Sequence, residues 1–132
     1  LYFKLFGFVT RPKEYTKLSG ASWVFISSAL TIILFNESIS IISLFILSLS
    51  DSIAAIIGKY YGKTILFSKS FEGSSSFYIA TATILFLMTS LNIFILMFIS
   101  LIITTVELFS NYFINDNLSI PISTGILLTI FI

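Results

Sequence analysis

Five apolar stretches, separated by short polar connections, constrain this chain more than any other feature. A membrane core about 30 Å thick needs about 20 apolar residues in an α-helix, and lipid offers no partners for the backbone groups of an open sheet. The pattern therefore predicts an all-α fold, a polytopic transmembrane bundle with about five helices. The predicted helices are Gly20 to Phe35, Ile39 to Ile57, Phe77 to Leu91, Ile93 to Leu108 and Leu118 to Ile132.

The composition supports a membrane protein and excludes several kinds of chemistry. The chain is 57% hydrophobic and 10% charged, whereas soluble domains carry about 25% charged residues. It has no cysteine and no histidine, which excludes a thiolate nucleophile, an imidazole base and a Cys/His zinc site. A net charge of +1 gives no basic patch for nucleic acid. Carboxylates, lysines and hydroxyls must therefore carry any chemistry.

The polar connections that flank the stretches predict a topology. Three of them carry most of the charge, and counting the crossings places these three on one membrane face: Thr10 to Ser19, Lys59 to Ser76 and Asn111 to Asn117. The bias of lysine and arginine towards the inner side makes that face cytoplasmic. We therefore expect residues 1–132 to form one multi-pass, membrane-embedded domain whose active face is cytoplasmic.

Asp51 is the first candidate functional residue, because a carboxylate at membrane depth is costly and by default indicates a site. On a helix it shares a face with Ala55, Gly58 and Gly62. Small residues of this kind can line a ligand groove, or can simply let a neighbouring helix approach closely. The carboxylate favours the first interpretation, with Asp51 as a metal ligand or proton acceptor.

The segment that follows resembles an anion-binding loop. Lysines supply positive charge, Gly73 can adopt a positive φ and expose backbone N–H groups, and Ser74 to Ser76 are predicted to begin the next helix at its positive dipole end. The alternative is a cytoplasmic loop whose lysines only set the topology. The predicted phosphate-binding residues are Lys59, Lys63, Lys69, Glu72, Gly73 and Ser74.

Two more carboxylates are predicted on the same face. Ser100, Thr104, Glu107 and Asn111 form one polar stripe along the fourth helix, although Glu107 could also be an interfacial residue without a role. Asp116, flanked by amides, is either a helix cap or a partner of Asp51 for a divalent ion. Magnesium is normally held by one or two carboxylates together with substrate phosphates, so Asp51 and Asp116 are the predicted metal ligands.

These segments resemble the polyprenol kinase family, the CTP-dependent membrane lipid kinases that include dolichol kinase, phytol kinase and CTP-dependent diacylglycerol kinase. The resemblance rests on four segments in order, S-D-S-I-A-A-I-I-G-K-Y-Y-G-K, K-S-F-E-G-S, E-L-F-S-N and N-D-N-L-S-I-P-I, and more weakly on L-S-G-A-S. Members usually begin with further helices and a basic motif, so the resemblance implies that N-terminal helices are missing from this chain.

The resemblance implies transfer of the CTP γ-phosphate to a membrane lipid alcohol, with Mg²⁺ or Ca²⁺ as the metal. It adds Asn117 to the nucleotide-binding residues and implies catalytic roles for Asp51 and Glu107. The related phosphatidate cytidylyltransferases share part of the pattern, so a CDP-lipid-forming enzyme is the alternative. A transporter or non-catalytic membrane subunit is a second alternative, although no paired inverted halves are evident.

Overall fold

The computed structural model describes residues 19–113 and 115–132. The predicted connection from Thr10 to Ser19 therefore lies outside the described residues except for Ser19. Within them the chain forms five helices and one short hairpin, which confirms the predicted all-α bundle. The elements are α1 (Gly20–Leu34), α2 (Glu37–Tyr61), β1 (Ile65–Leu66), β2 (Lys69–Ser70), α3 (Phe71–Met88), α4 (Ile93–Phe113) and α5 (Asp116–Phe131).

Polar side chains fix where the helices begin. Ser19 Oγ accepts a hydrogen bond from the Ser22 N–H at the start of α1, and Asn36 accepts one from Ile39 at the start of α2. Such caps satisfy N–H groups that have no partner inside the helix. The Ser70 hydroxyl caps α3 in the same way, so this helix begins at Phe71. The prediction that it begins with Ser74 to Ser76 and spans Phe77 to Leu91 was wrong at both ends.

The bundle is apolar inside and outside. Its interior contains fully buried side chains from α2 to α5, including Ile46, Phe77, Ile99 and Ile120. Its outer surface also carries large apolar side chains, and Phe94 is 79% exposed. Exposed apolar area of this extent is typical of a surface that meets lipid rather than water.

In the part of the chain that the structure describes, two helices are long and apolar enough to cross a membrane. They are Glu37–Tyr61, with a mean hydropathy of 2.1, and Ile93–Ser110, with a mean hydropathy of 2.3. Gly20–Leu34 and Asp116–Phe131 are apolar but shorter than a usual span. These lengths and the apolar exterior support association of the bundle with a membrane.

A wide π-helical turn, Ile46–Ser50, interrupts α2 directly before Asp51. Buried residues recur here every four positions, at Ile42, Ile46, Ser50 and Ala54. A regular α-helix advances 100° per residue, so a four-residue repeat drifts by about 40° at each step. The wider turn takes up part of this drift, and Ser50 stays inside the bundle, where its hydroxyl lies 3.1 Å from that of Thr81.

The hairpin between α2 and α3 lies at the same end of the bundle as the connection from α4 to α5. Ile65 pairs with Ser70 and Leu66 with Lys69, and Phe67 in the turn has a φ of 56°. The Phe67 ring contacts those of Phe109 and Tyr112 on α4, with centroids 4.8 and 6.4 Å apart. These contacts place the hairpin against the end of α4.

Candidate functional site

A cavity of about 480 Å³ lies between the hairpin and the ends of α2, α3, α4 and α5. This volume is within the range of small-molecule sites. The predicted site residues that line it are Asp51, Lys69, Gly73, Ser74, Glu107 and Asp116, together with Ala55, Gly58 and Gly62 of the predicted small-residue face. The sequence therefore predicted much of the wall, and two of the three charged connections, Lys59 to Ser76 and Asn111 to Asn117, contribute residues to it.

An ion pair joins the hairpin to two helices inside this cavity. Lys69 Nζ lies 2.6 Å from Glu107 Oε1 on α4 and 3.5 Å from Asp116 Oδ2 on α5. The side chains are 17%, 3% and 25% exposed in that order, so the contact with Glu107 is largely shielded from solvent. Sequence reasoning missed this pairing; its one signal was the expected common face of the hairpin and α4.

Two buried polar atoms at the cavity have no hydrogen-bond partner among the described residues. They are Oε2 of Glu107 and Oγ of Ser74, and both residues line the cavity. Buried polar atoms are nearly always paired, and an unpaired one costs about 1 to 3 kcal/mol. An arriving hydroxyl, cation or ordered water would satisfy them, so the cavity is prepared for a polar ligand.

The close crossing of α2 and α3 explains the small residues around the cavity. A Cβ at Gly73 would lie 3.0 Å from the Ala54 carbonyl oxygen and 3.3 Å from Gly58 Cα. Among the described residues no glycine has a positive φ, so Gly73 does not use the positive φ that an anion-binding loop could have required. Its N–H is also occupied, because it donates to Ser70 Oγ at 3.1 Å. Gly73 lets two helices touch, which is the packing alternative for small residues.

Four predicted residues do not line the cavity in this structure: Lys59, Lys63, Glu72 and Asn117. Lys59 is exposed, and its Nζ lies 5.7 Å from the centroid of the Tyr60 ring. Asn117 directs its side-chain amide towards the Gly20 carbonyl, 3.5 Å away. Their nucleotide-binding roles stay predictions.

Glu72 supports the hairpin rather than the cavity. Both of its carboxylate oxygens accept from the Thr64 N–H at 3.3 Å. Hydrogen bonds from its own backbone N–H first, and then from Lys63 and Thr64, lower the pKa of Glu72 below its ordinary value. The ionised form therefore holds the base of the hairpin to the start of α3.

Sequence reasoning also missed Ser70, Ala54 and Ile65, which line the cavity. Ser70 could have been found as a helix cap, since serine is a favoured N-cap residue and an acidic residue follows two positions later. Ile65 could not, because a two-residue strand leaves no periodic pattern.

The polar stripe predicted on the fourth helix faces the protein. Ser100 is fully buried and Glu107 is 2% exposed, while the side chain of Asn111 lies outside the described set. The interpretation of Glu107 as an interfacial residue is therefore not supported by its position.

A metal ion would need help from a substrate here. Among the described residues, no group of three or more acidic, histidine or cysteine side chains is arranged to hold a metal ion. Magnesium sites, however, commonly use one or two carboxylates and complete the coordination with phosphate oxygens and water. Asp51 and Asp116 at one cavity, with an unpaired oxygen on Glu107, fit that kind of donor set.

Fold and cavity together define a helical membrane protein with a polar site at one end of its bundle. The chain is 36% identical over 137 residues to the uncharacterized protein RP860 of Rickettsia prowazekii, and the match covers 97% of this chain and 67% of that protein. The chain therefore belongs to the same family as this rickettsial protein.

A second similarity extends to a characterised enzyme. Over 62 residues the chain is 37% identical to CTP-dependent diacylglycerol kinase 1 of Saccharomyces cerevisiae, which covers 47% of this chain and 21% of the kinase. The chain thus matches about a fifth of the length of that enzyme. No protein-family model matches the chain, and no solved structure matches it significantly. The partial match supports a relationship to the CTP-dependent lipid kinases.

Proposed function

We propose that this chain forms the catalytic bundle of a CTP-dependent lipid kinase that phosphorylates a diacylglycerol-like or polyprenol-like alcohol at the cytoplasmic membrane face. The observation that carries the proposal is the cavity at one end of an apolar bundle, where Asp51, Lys69, Glu107 and Asp116 meet. The partial similarity to the yeast kinase supports CTP as the phosphoryl donor. A lipid alcohol can reach such a cavity from the bilayer, and a nucleotide can reach it from water.

Phosphoryl transfer suits this set of residues because it depends mainly on positioning and charge stabilisation. The alcohol oxygen of the lipid bonds to the γ-phosphorus of CTP as the bond from that phosphorus to the β–γ bridging oxygen breaks. CDP leaves with the electron pair of that bond. The unpaired Oε2 of Glu107 accepts the proton of the lipid hydroxyl, while the Lys69 ammonium compensates charge on the phosphates.

The charge of the cavity favours a metal-bound nucleotide. Among the described residues that line it, three carboxylates face one ammonium group, so the wall carries two excess negative charges when all four are ionised. Free CTP would be repelled by this wall. Mg²⁺ or Ca²⁺, held by Asp51 and Asp116, would supply the compensating charge and polarise the phosphate oxygens.

The test is incubation of the full-length protein in lipid with CTP labelled at the γ-phosphate, a divalent metal, and diacylglycerol or polyprenol as acceptor. Radioactive lipid is the expected product, and Asp51→Asn should abolish it without unfolding the protein. In a parallel reaction with phosphatidate as acceptor, release of label as pyrophosphate while the cytidine nucleotide joins the lipid would identify a cytidylyltransferase, and the kinase proposal would fail.

Failure to transfer label from CTP to either acceptor, by a folded full-length protein that binds CTP, would also refute the proposal. Phosphorylation at the parental rate by Asp51→Asn would show that Asp51 is not a metal ligand, without contradicting the proposed reaction class.

A further inference from the structure

We infer that Lys69 occupies the cation position of the cavity when no nucleotide is present, and that a divalent metal must displace its ammonium group to bind. The inference deepens the proposed function, on which it rests, by assigning Lys69 two successive partners. It predicts weak binding of metal alone and strong binding of metal together with nucleotide.

The geometry places the ammonium where a cation would be expected. Lys69 Nζ bridges carboxylates from two different helices, at 2.6 Å from Glu107 and 3.5 Å from Asp116. Asp116 is also one of the two predicted metal ligands. A metal ion bound to Asp116 would lie close to the ammonium, and two cations at such a distance repel each other strongly in a partly buried site.

Lys69 compensates the negative charge and the unpaired acceptors of the cavity wall only in part. Oε2 of Glu107 has no hydrogen-bond partner among the described residues although Glu107 is 2% exposed. Oγ of Ser74, on a different helix, is likewise buried and unpartnered. Lys69 thus satisfies only one oxygen of Glu107, and the remaining acceptors favour an additional cation or donor. The lysine is therefore an incomplete substitute for a ligand.

The hairpin that carries Lys69 is held only weakly by its own strand pairing. Each strand has two residues, and so short a ladder contributes little stability of its own. The base of the hairpin is tied separately, because the Phe71 N–H donates to the Thr64 carbonyl at 2.8 Å. The ammonium can therefore leave Glu107 and contact a nucleotide phosphate without release of the hairpin base.

Metal binding by the nucleotide-free, full-length protein tests this inference directly. Mn²⁺ would be titrated against the protein in lipid nanodiscs, with the electron paramagnetic resonance signal of free Mn²⁺ as the readout. Lys69→Ala and Lys69→Gln should bind Mn²⁺ at least about tenfold more tightly than the parent, because they remove a competing positive charge. Lys69→Arg retains the charge and is the matched control, which should bind as weakly as the parent.

A measurement on the parent protein avoids any effect of substitution on folding. The Lys69 amine should be modified faster by a lysine-selective reagent once saturating Mn²⁺ is added without nucleotide, as followed by mass spectrometry and compared with the rate in metal-free buffer. Equal or weaker Mn²⁺ binding by both charge-removing variants would overturn the inference, as would a modification rate of Lys69 that saturating Mn²⁺ does not raise.

The outcome is separable from that of the kinase assay. Tighter Mn²⁺ binding by Lys69→Gln, in a protein that transfers no phosphate from CTP, would support the cation site and refute the proposed kinase activity. Lipid phosphorylation by a protein whose Mn²⁺ affinity is unchanged by Lys69 substitutions would support the kinase activity and refute competition between Lys69 and the metal.

Discussion

Replacing Gly73 by alanine should destabilise the bundle, although alanine is the better helix former. The new Cβ would lie 2.9 Å from Ser70 Oγ, 3.0 Å from the Ala54 carbonyl oxygen and 3.3 Å from Gly58 Cα. Side-chain carbons essentially never approach other atoms as closely as the first of these distances. Ser70 would have to rotate, and its hydroxyl would then give up the hydrogen bond from the Gly73 N–H that caps α3.

The magnitude follows from three opposing contributions. Loss of a serine cap costs about 1 kcal/mol, and pushing two packed backbones apart costs about 1 to 3 kcal/mol. The higher helix propensity of alanine offsets about 1 kcal/mol. We therefore expect the free energy of unfolding to fall by about 1 to 3 kcal/mol. The assay is unfolding of the detergent-solubilised protein, followed by the loss of helical circular dichroism.

Two further variants make this prediction specific. Gly20→Ala is the matched control, because within residues 19–113 and 115–132 a Cβ there meets only Asn117 Nδ2 at an ordinary 3.8 Å. Ser70→Ala removes both the cap and the closest contact, so Gly73→Ala should cost about 1 kcal/mol less in that background. Equal stability of Gly73→Ala and the parent, or strictly additive effects of the two substitutions, would refute the reasoning.

Three other predictions concern catalysis, the interior and pH. Glu107→Gln should lower CTP-dependent lipid phosphorylation at least about a hundredfold by removing the proton acceptor. Glu37→Gln is the control and should leave the rate unchanged, because Glu37 begins α2 and does not line the cavity. Equal rates for Glu107→Gln and the parent would contradict the assigned role. Thr81→Val should cost about 1 to 3 kcal/mol in unfolding experiments because it leaves the buried Ser50 hydroxyl unpaired, and addition of Ser50→Ala should recover part of the loss; a neutral Thr81→Val would contradict this. Glu72 lies outside the two helices of spanning length, and its pKa is lowered from 4.5. Its stabilising effect is therefore present above that pH and is lost as the pH falls through the folded-state pKa. Glu72→Gln should flatten the acid-side decline in stability, and identical pH profiles of the variant and the parent would exclude this contribution.

The helices could be predicted from the sequence because lipid-soluble stretches leave few alternatives. Their ends were less predictable, as α3 shows. Its six polar or small residues from Glu72 to Tyr78 resemble a loop in composition, but the Ser70 cap and the contact with α2 make them helical. Composition alone does not record a contact with a neighbouring helix.

The candidate site was predictable to the level of which residues share a membrane face. Asp51, Glu107 and Asp116 follow from counting crossings, and all three line one cavity. Which lysine enters that cavity did not follow, because it depends on the hairpin turn at Phe67 and on the contact of that ring with Phe109. Lys59 and Lys63 have the same charge as Lys69, and only the three-dimensional arrangement distinguishes them.

The wide turn at Ile46–Ser50 also affects how sequences of this family should be compared. A π turn holds one more residue than the α turn that could replace it, so losing one residue there would leave the helical faces on either side nearly aligned. A one-residue gap between Asp51 and Gly58 would instead rotate the glycine by about 100° and remove it from Gly73. An alignment gap is therefore structurally tolerable before Asp51 and disruptive after it, which gives a rule for recognising distant relatives that retain this cavity.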